Sequence, residues 1–394
     1  MKPPALPGKG EAALRKVLFA GGGTGGHIYP AMALAQELVA HFPGFQPVFV
    51  GRAGGPEEKI VPAAGFELFT LKVAGIARFW SVKNFLVPVK LLGALLAARK
   101  LLNNLRPSVV VGTGGYVSFP VLFWAQWKKI PNVLQEQNSV PGLVTRVLAP
   151  RANLVFLGFA ESARFFSKLE NLLYVGNPVR PYLNKKREEG ARIFGLSPDK
   201  KTIFVFGGSQ GARKLNEAVW SWLSTGNASG FQILWQTGPR WHREQETQLS
   251  QCPKNVVVLP YVDDMAAAYA CADLVVCRAG ALSIAELTAL GKPSILIPYE
   301  LAAADHQTKN AEALVRAGGA FLLKEKELGS GILAEKVTEL LNDPDALKKM
   351  SQKSKQFGRP QAARQMTEEI VKLASKVKME EASAACLNPK EVQC

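Results

Sequence analysis

The chain has 394 residues, 47% hydrophobic and 20% charged, too long for one small core and too apolar for a disordered chain; two packed domains are expected. The net charge of +16 favours anionic partners, whether nucleic acid, acidic headgroups or phosphorylated ligands, without choosing among them. Five cysteines (Cys252, Cys271, Cys277, Cys386, Cys394) form neither a CxxC pair nor an even framework, which points to reduced thiols. No apolar segment before Val17 reads as a signal, and no uninterrupted apolar run approaches the ~20 residues of a bilayer span.

In chain order, residues 1–12 are rich in Pro and Gly and read as a loose tail. Val17-Leu18-Phe19-Ala20 then reads as a buried strand feeding Gly21-Gly22-Gly23-Thr24-Gly25-Gly26-His27, with a helix over roughly Pro30–Phe42. Strand, glycine turn and helix form the geometry in which backbone N–H groups face a bound anion. Gly21-x-Gly23-x-x-Gly26 satisfies the dinucleotide fingerprint literally, a weak signal alone. The next strand, 47–51, ends Gly51-Arg52 with no acidic residue for a ribose, which disfavours NAD and leaves NADP open. His27 either caps the helix or takes a proton from a hydroxyl near neutral pH.

Residues 76–106 mix Ile76, Phe79, Trp80, Phe85 and Leu86 with Arg78, Lys83, Lys90, Arg99 and Lys100, and Trp124, Trp127, Lys128 and Lys129 repeat the mixture. Part of this must be core helix with solvated lysines. Trp beside Arg and Lys also suits the boundary between acyl chains and acidic headgroups, and a reversible membrane patch is the favoured reading. Val109–Val111 ends on Gly112-Thr113-Gly114-Gly115-Tyr116, another strand with a glycine exit; 131–134 and 154–156 read as further strands.

Gly176-Asn177-Pro178-Val179-Arg180-Pro181 marks a boundary. Strands then recur at 203–206, 232–235, 256–259, 274–277 and 294–297, and Gly207-Gly208-Ser209-Gln210-Gly211-Ala212 repeats the glycine turn before a helix around 215–222. Two such units suggest two α/β domains with parallel sheets facing a central cleft. Arg278-Ala279-Gly280-Ala281-Leu282-Ser283 opens a helix over 281–290 that carries Glu286, a carboxylate able to accept from both hydroxyls of a ribose. Asp305-His306-Gln307-Thr308-Lys309-Asn310-Ala311 reads as an N-cap and a polar first turn. Asp343-Pro344-Asp345 resembles a metal-binding DxD but fits a helix start better, with Asp as N-cap and Pro at the first position. A last helix is expected to about residue 378, and 379–394 reads as a tail.

These motifs, in this order and with Gly114-Gly115-Tyr116-Val117-Ser118, Gln135-Glu136-Gln137-Asn138 and Asp263-Asp264-Met265 between them, resemble the MurG family, the UDP-N-acetylglucosamine:undecaprenyl-pyrophosphoryl-MurNAc-pentapeptide GlcNAc transferases. The resemblance spans about residues 16–375. It implies a GT-B fold with an acceptor- and membrane-binding domain over 13–175, a donor-binding domain over 176–358, and a helix at 359–378 crossing back to the first. It implies inverting transfer of GlcNAc from UDP-GlcNAc to the 4-hydroxyl of MurNAc in lipid I, which forms lipid II. Uracil would meet the backbone near Val262, ribose Glu286, phosphate Ser209, the pyrophosphate end Ala281, Leu282 and Ser283, and the sugar Gln307. Thr24, Gly25, Gly26, Asn138 and Arg180 would complete the donor site. Gly114, Gly115 and Tyr116 would take the acceptor pyrophosphate, and His27 would act as base or position the acceptor.

By the same resemblance no metal or cofactor is required, anionic membrane lipids and cell-wall and division proteins are partners, and the location is the cytoplasmic face of the bacterial inner membrane. Three other readings remain. A UDP-GlcNAc epimerase of the same architecture would isomerise its substrate without an acceptor. An NADP-dependent oxidoreductase would bind NADPH. A nucleic-acid binder would use the +16 charge, but no RNA-reading or helix-turn-helix signature is visible and nucleic acid is not an expected partner.

Overall fold

The computed structural model describes residues 14–73, 87–166, 169–181, 183–225 and 230–386. The residues named above for the membrane patch, Ile76, Phe79, Trp80, Phe85 and Leu86, lie outside them. The described chain forms two compact units. The first contains the chain up to Gln137, Pro141–Pro178 and the segment from Gln361 onward; the second contains Asn138–Val140 and Val179–Pro360.

The first unit runs β1 (Arg15–Gly21), α1 (Gly25–His41), β2 (Phe45–Arg52), α2 (Glu57–Ala63), β3 (Glu67–Leu71), α3 (Val87–Leu105), β4 (Val109–Gly114), α4 (Ser118–Trp127), β5 (Asn132–Glu136), α5 (Leu143–Leu148), β6 (Leu154–Leu157) and β7 (Leu172–Tyr174). All paired strands are parallel, in the order β3-β2-β1-β4-β5-β6-β7. Alternation along β1 explains why its sequence is a continuous apolar run. Val17 and Phe19 pack beneath α1, while Leu18 and Ala20 join the opposite core with Ala98 and Leu102 of α3 and Val121 and Leu122 of α4, so both sheet faces are covered.

The second unit runs α6 (Arg187–Ile193), β8 (Thr202–Phe206), α7 (Arg213–Ser224), β9 (Gln232–Gln236), α8 (Pro239–Glu244), α9 (Glu246–Leu249), β10 (Val256–Leu259), α10 (Met265–Cys271), β11 (Leu274–Cys277), α11 (Ala281–Leu290), β12 (Ser294–Leu296), α12 (His306–Arg316), β13 (Phe321–Leu322), α13 (Ile332–Asn342) and α14 (Pro344–Phe357). Its parallel sheet has the order β10-β9-β8-β11-β12-β13. The final helix, α15 (Ala362–Cys386), returns to the first unit, where Met366, Ile370 and Ala374 enter the core beneath α1.

Strand order reverses direction between β1 and β4 and again between β8 and β11. In open α/β sheets such switch points leave a crevice beyond the strands' carboxyl ends. The glycine-rich exits at 21–26, 112–115 and 207–211, and the Arg278-Ala279-Gly280 turn, all leave these four strands.

Several local expectations change. Helix α1 begins at Gly25 rather than near Pro30, so Thr24 is its N-cap and Pro30 lies inside it. Helix α15 continues to Cys386, past the end expected near 378. Strands β3, β7 and β13 carry no long apolar run; they lie at or beside the sheet edges. Asp343 does cap α14, accepting from Ala346 N at 2.9 Å with Pro344 at the first position. Asp305 stands before α12 in the left-handed region (φ 51°) and makes no capping bond, accepting instead from the Thr308 hydroxyl at 2.5 Å.

Candidate active site

In the first unit the exits of β1 and β4 press together. Gly21 is in register with Gly114. A Cβ on Gly115 would stand 2.4 Å from the Gly22 carbonyl oxygen, and one on Gly114 would stand 2.6 Å from His27 Nδ1. Both glycines have φ near +80° to +100°, a region a side chain would strain. These contacts set Gly114 against the His27 ring and Gly115 against the Gly22 backbone, and Tyr116 is exposed.

His27 is held from behind. Its Nδ1 lies 3.0 Å from the Thr113 carbonyl oxygen and 3.3 Å from Gln137 Oε1. Both partners accept, so Nδ1 carries a proton, and in the neutral form of that tautomer Nε2 is the basic nitrogen. The Thr113 hydroxyl donates back to the His27 carbonyl at 2.7 Å. Gln137 is buried and donates to the Thr113 carbonyl at 2.6 Å. Gln135 donates to Asn177 Oδ1 at 2.9 Å, and Asn177 donates to the Gln137 carbonyl at 2.9 Å. This chain of amides fixes the ring orientation from inside the unit.

Glu57, absent from the sequence expectations, is 1% exposed. Its carboxylate accepts from Gly23 N at 3.1 Å and Arg52 N at 2.6 Å, pinning the first glycine loop to the end of β2. Its only sequence signal was position, in the first turn of a helix after Gly54-Gly55-Pro56.

In the second unit Glu286 sits one turn into α11, 4% exposed. The Tyr269 hydroxyl donates to its Oε2 at 2.9 Å, and Arg180 Nε lies 2.9 Å from its Oε1. Burial raises the Glu286 pKa, while the Arg180 charge and the Tyr269 hydrogen bond oppose the rise. Burial, reinforced by the Glu286 charge, pushes the Tyr269 phenol well above its ordinary range. Tyr269 was not anticipated. It lies within α10 and packs edge-on against Phe204 and Phe206, which disguises it as core.

The other expected donor residues fall on loops and at helix starts of this unit. Ser209 is exposed on the turn after β8, and Ala281, Leu282 and Ser283 form the first turn of α11, whose N-cap is Gly280. The Gln307 oxygen accepts from Tyr299 N at 2.9 Å, which leaves its NH2 as the group to present. Arg278 donates to the carbonyls of Ile297 and Pro298 and pairs with Glu325, bracing the chain that leads to Tyr299. Asn138 accepts from Asn310 Nδ2 at 3.1 Å, and Asn310 also accepts from Ser139 N at 2.9 Å; this ties segment 138–140 into the second unit. Val262 is buried, with its N–H donated to Gln236 Oε1 at 2.9 Å. Among the described residues no group of three or more His, Cys, Asp or Glu is placed to hold a metal ion.

The model of the glycosyltransferase family 28 N-terminal domain matches residues 17–157, and that of the family 28 C-terminal domain matches 202–366. A Halothermothrix orenii protein named UDP-N-acetylglucosamine–N-acetylmuramyl-(pentapeptide) pyrophosphoryl-undecaprenol N-acetylglucosamine transferase is 44% identical over 88% of this chain and 96% of its own. A Chlorobaculum parvum protein of the same name is 42% identical over 91% and 99%. The crystal structure of Acinetobacter baumannii MurG superposes with a TM-score of 0.70 at 27% identity, covering 91% of this chain and 99% of that one.

Proposed function

Because the chain belongs to the MurG family of family 28 glycosyltransferases, we propose that it transfers GlcNAc from UDP-GlcNAc to the 4-hydroxyl of MurNAc in lipid I, with inversion at the anomeric carbon. The attacking hydroxyl oxygen bonds to C1 as the C1–O bond to UDP breaks, and that electron pair leaves on the UDP β-phosphate. The hydroxyl proton passes to Nε2 of His27. The observation that supports this role is the pairing of His27 Nδ1 with two acceptors, Thr113 O and Gln137 Oε1, which favours the tautomer whose neutral ring accepts a proton at Nε2. General base catalysis of this kind contributes about 10²–10⁴-fold.

The donor reading places the ribose diol on Glu286, the diphosphate on the turn bearing Ser209 and on the first turn of α11, the sugar on Gln307, and the base beside Val262. Main-chain N–H groups at the starts of α7 and α11 stabilise the departing UDP, so activity without added metal is expected. Gly114, Gly115 and Tyr116 take the lipid pyrophosphate.

The protein is read as peripheral on the cytoplasmic leaflet. No described helix is long and apolar enough to cross a membrane. Helix α3 turns Ala94, Ala98 and Leu102 into the core and exposes Val89, Leu92 (60%) and Leu96; Trp127, at the end of the α4 that packs on α3, is 71% exposed. Lys90, Lys100, Lys128 and Lys129 lie among them. Each large apolar side chain buried in a bilayer interface contributes about 1.5–3 kcal/mol and each basic residue about 1 kcal/mol.

The enzyme should be incubated with UDP-GlcNAc alone and then with a short-chain lipid I analogue. UDP release only in the second case, with a β-configured product, is expected. Acceptor-independent isomerisation of UDP-GlcNAc would replace this reading with the epimerase.

A further inference from the structure

Gln236, the last residue of β9, is 3% exposed and belongs to none of the groups assigned above. Its Nε2 donates to the Gly208 carbonyl at 2.9 Å, and its Oε1 accepts from Val262 N at 2.9 Å. A carbonyl can only accept and an N–H can only donate, so the two partners fix the orientation of the amide without ambiguity. One side chain thus ties the turn after β8 to the turn after β10.

Two further contacts give the joint little slack. A Cβ on Gly211 would meet the Thr237 carbonyl oxygen at 2.0 Å, so the β8 and β9 exits already touch through their backbones. Asn216, fully buried, donates to that same Thr237 carbonyl at 2.7 Å and accepts from Trp235 Nε1 at 3.2 Å. Gln236 is the member of this group that reaches both the turn assigned to the diphosphate and the residue assigned to the base.

We propose that Gln236 is a positioning residue for the donor nucleotide, setting the separation between the phosphate-binding turn at Gly208 and the base-reading backbone at Val262 and thereby favouring a uridine diphosphate. The proposal rests on the donor reading given above. With its N–H held by Gln236, Val262 has its carbonyl to offer a base. That group accepts a hydrogen bond, which suits the N3–H of uracil and not the N3 lone pair of cytosine.

Gln236→Glu keeps the size of the side chain and its acceptor toward Val262 N, but turns an oxygen lone pair toward the Gly208 carbonyl. Gln236→Met removes both bonds. The full-length variants should be titrated with UDP and CDP by calorimetry, with melting followed in parallel. Losing one or two buried hydrogen bonds predicts UDP binding about tenfold weaker, a smaller preference for UDP over CDP, and an unchanged KM for the lipid acceptor at saturating donor. A natively melting variant with UDP affinity within about twofold of the wild type would overturn the role.

Amide exchange on the wild-type protein supplies a test that needs no variant. The Val262 amide should be protected before nucleotide is added and remain so with UDP; unprotected exchange in the free protein would refute the clamp. The same experiment probes the donor reading separately, because UDP should slow exchange across 207–212 and 280–283. Loss of that footprint would remove both readings, whereas a footprint with unchanged variant affinities removes Gln236 alone.

Discussion

Replacing Tyr269 by Phe removes one oxygen atom and tests how the Glu286 carboxylate is held. The hydroxyl donates to Oε2 at 2.9 Å, and both residues are buried. A hydrogen bond to a buried charged group contributes about 1.5–3 kcal/mol. For a domain the size of the second unit, each kcal/mol corresponds to about 2–4 °C in melting temperature. A loss of several degrees is therefore expected at neutral pH.

The sign of the pH dependence follows from Glu286. Its folded-state pKa is raised, first by burial, so the native protein binds this proton more readily than the unfolded chain. Stability from this group is fully present below the unfolded-state value near ~4.3 and is lost as pH rises through the folded-state value. The Tyr269 bond holds the folded value down; without it the value rises further. The melting difference between wild type and Tyr269→Phe should accordingly be wider at pH 8 than at pH 5. With the carboxylate less firmly oriented, UDP-GlcNAc binding should weaken about 3- to 10-fold, consistent with part of that energy, while kcat is retained. Scanning calorimetry across pH, paired with nucleotide titration, measures both. A melting difference independent of pH, together with unaltered affinity, would refute the reasoning.

His27→Ala should lower kcat by about 10²–10⁴-fold while UDP-GlcNAc binding persists; wild-type turnover would remove His27 from the reaction. Glu57→Ala leaves the N–H groups of Gly23 and Arg52 without their acceptor, at a cost of about 1–3 kcal/mol for each unmade bond. Its melting temperature should fall and its acceptor KM rise, and no change in either would show that the glycine loop does not depend on this carboxylate. Changing Leu92, Leu96 and Trp127 to Ser should weaken sedimentation with anionic vesicles and spare turnover of a water-soluble acceptor. Equal sedimentation would move the membrane contact elsewhere on the surface.

The sequence made the architecture readable where chemistry is repetitive. Apolar strands ending in glycine announced β1, β4 and β8, and the turn at Arg278-Ala279-Gly280 announced the start of α11. These are the strands that flank the two switch points, so the candidate site was legible in outline. Edge strands such as Glu67–Leu71 were not, because a half-covered strand needs no continuous apolar run. The start of α1 was misplaced because glycine and proline usually oppose a helix, whereas here the glycines occupy its first turn.

The residues that hold the site were harder to see for a different reason. Glu57, Thr113, Gln135, Gln236 and Tyr269 act through partners remote in sequence. Each looks ordinary until folding brings a carbonyl, an N–H or a carboxylate within 3 Å. A glutamine at the end of an apolar strand, as in Gln232-Ile233-Leu234-Trp235-Gln236, is the nearest thing to a local signal, since burying an amide requires partners.

Transfer of radiolabelled GlcNAc from UDP-GlcNAc to a short-chain lipid I analogue, in EDTA, is the most direct measurement of the central claim. Acceptor-dependent formation of the labelled disaccharide lipid, with one UDP released for each transfer, is the predicted result. No labelled product, with or without added Mg²⁺, from a protein that still binds UDP-GlcNAc would contradict the assignment of lipid I as the acceptor.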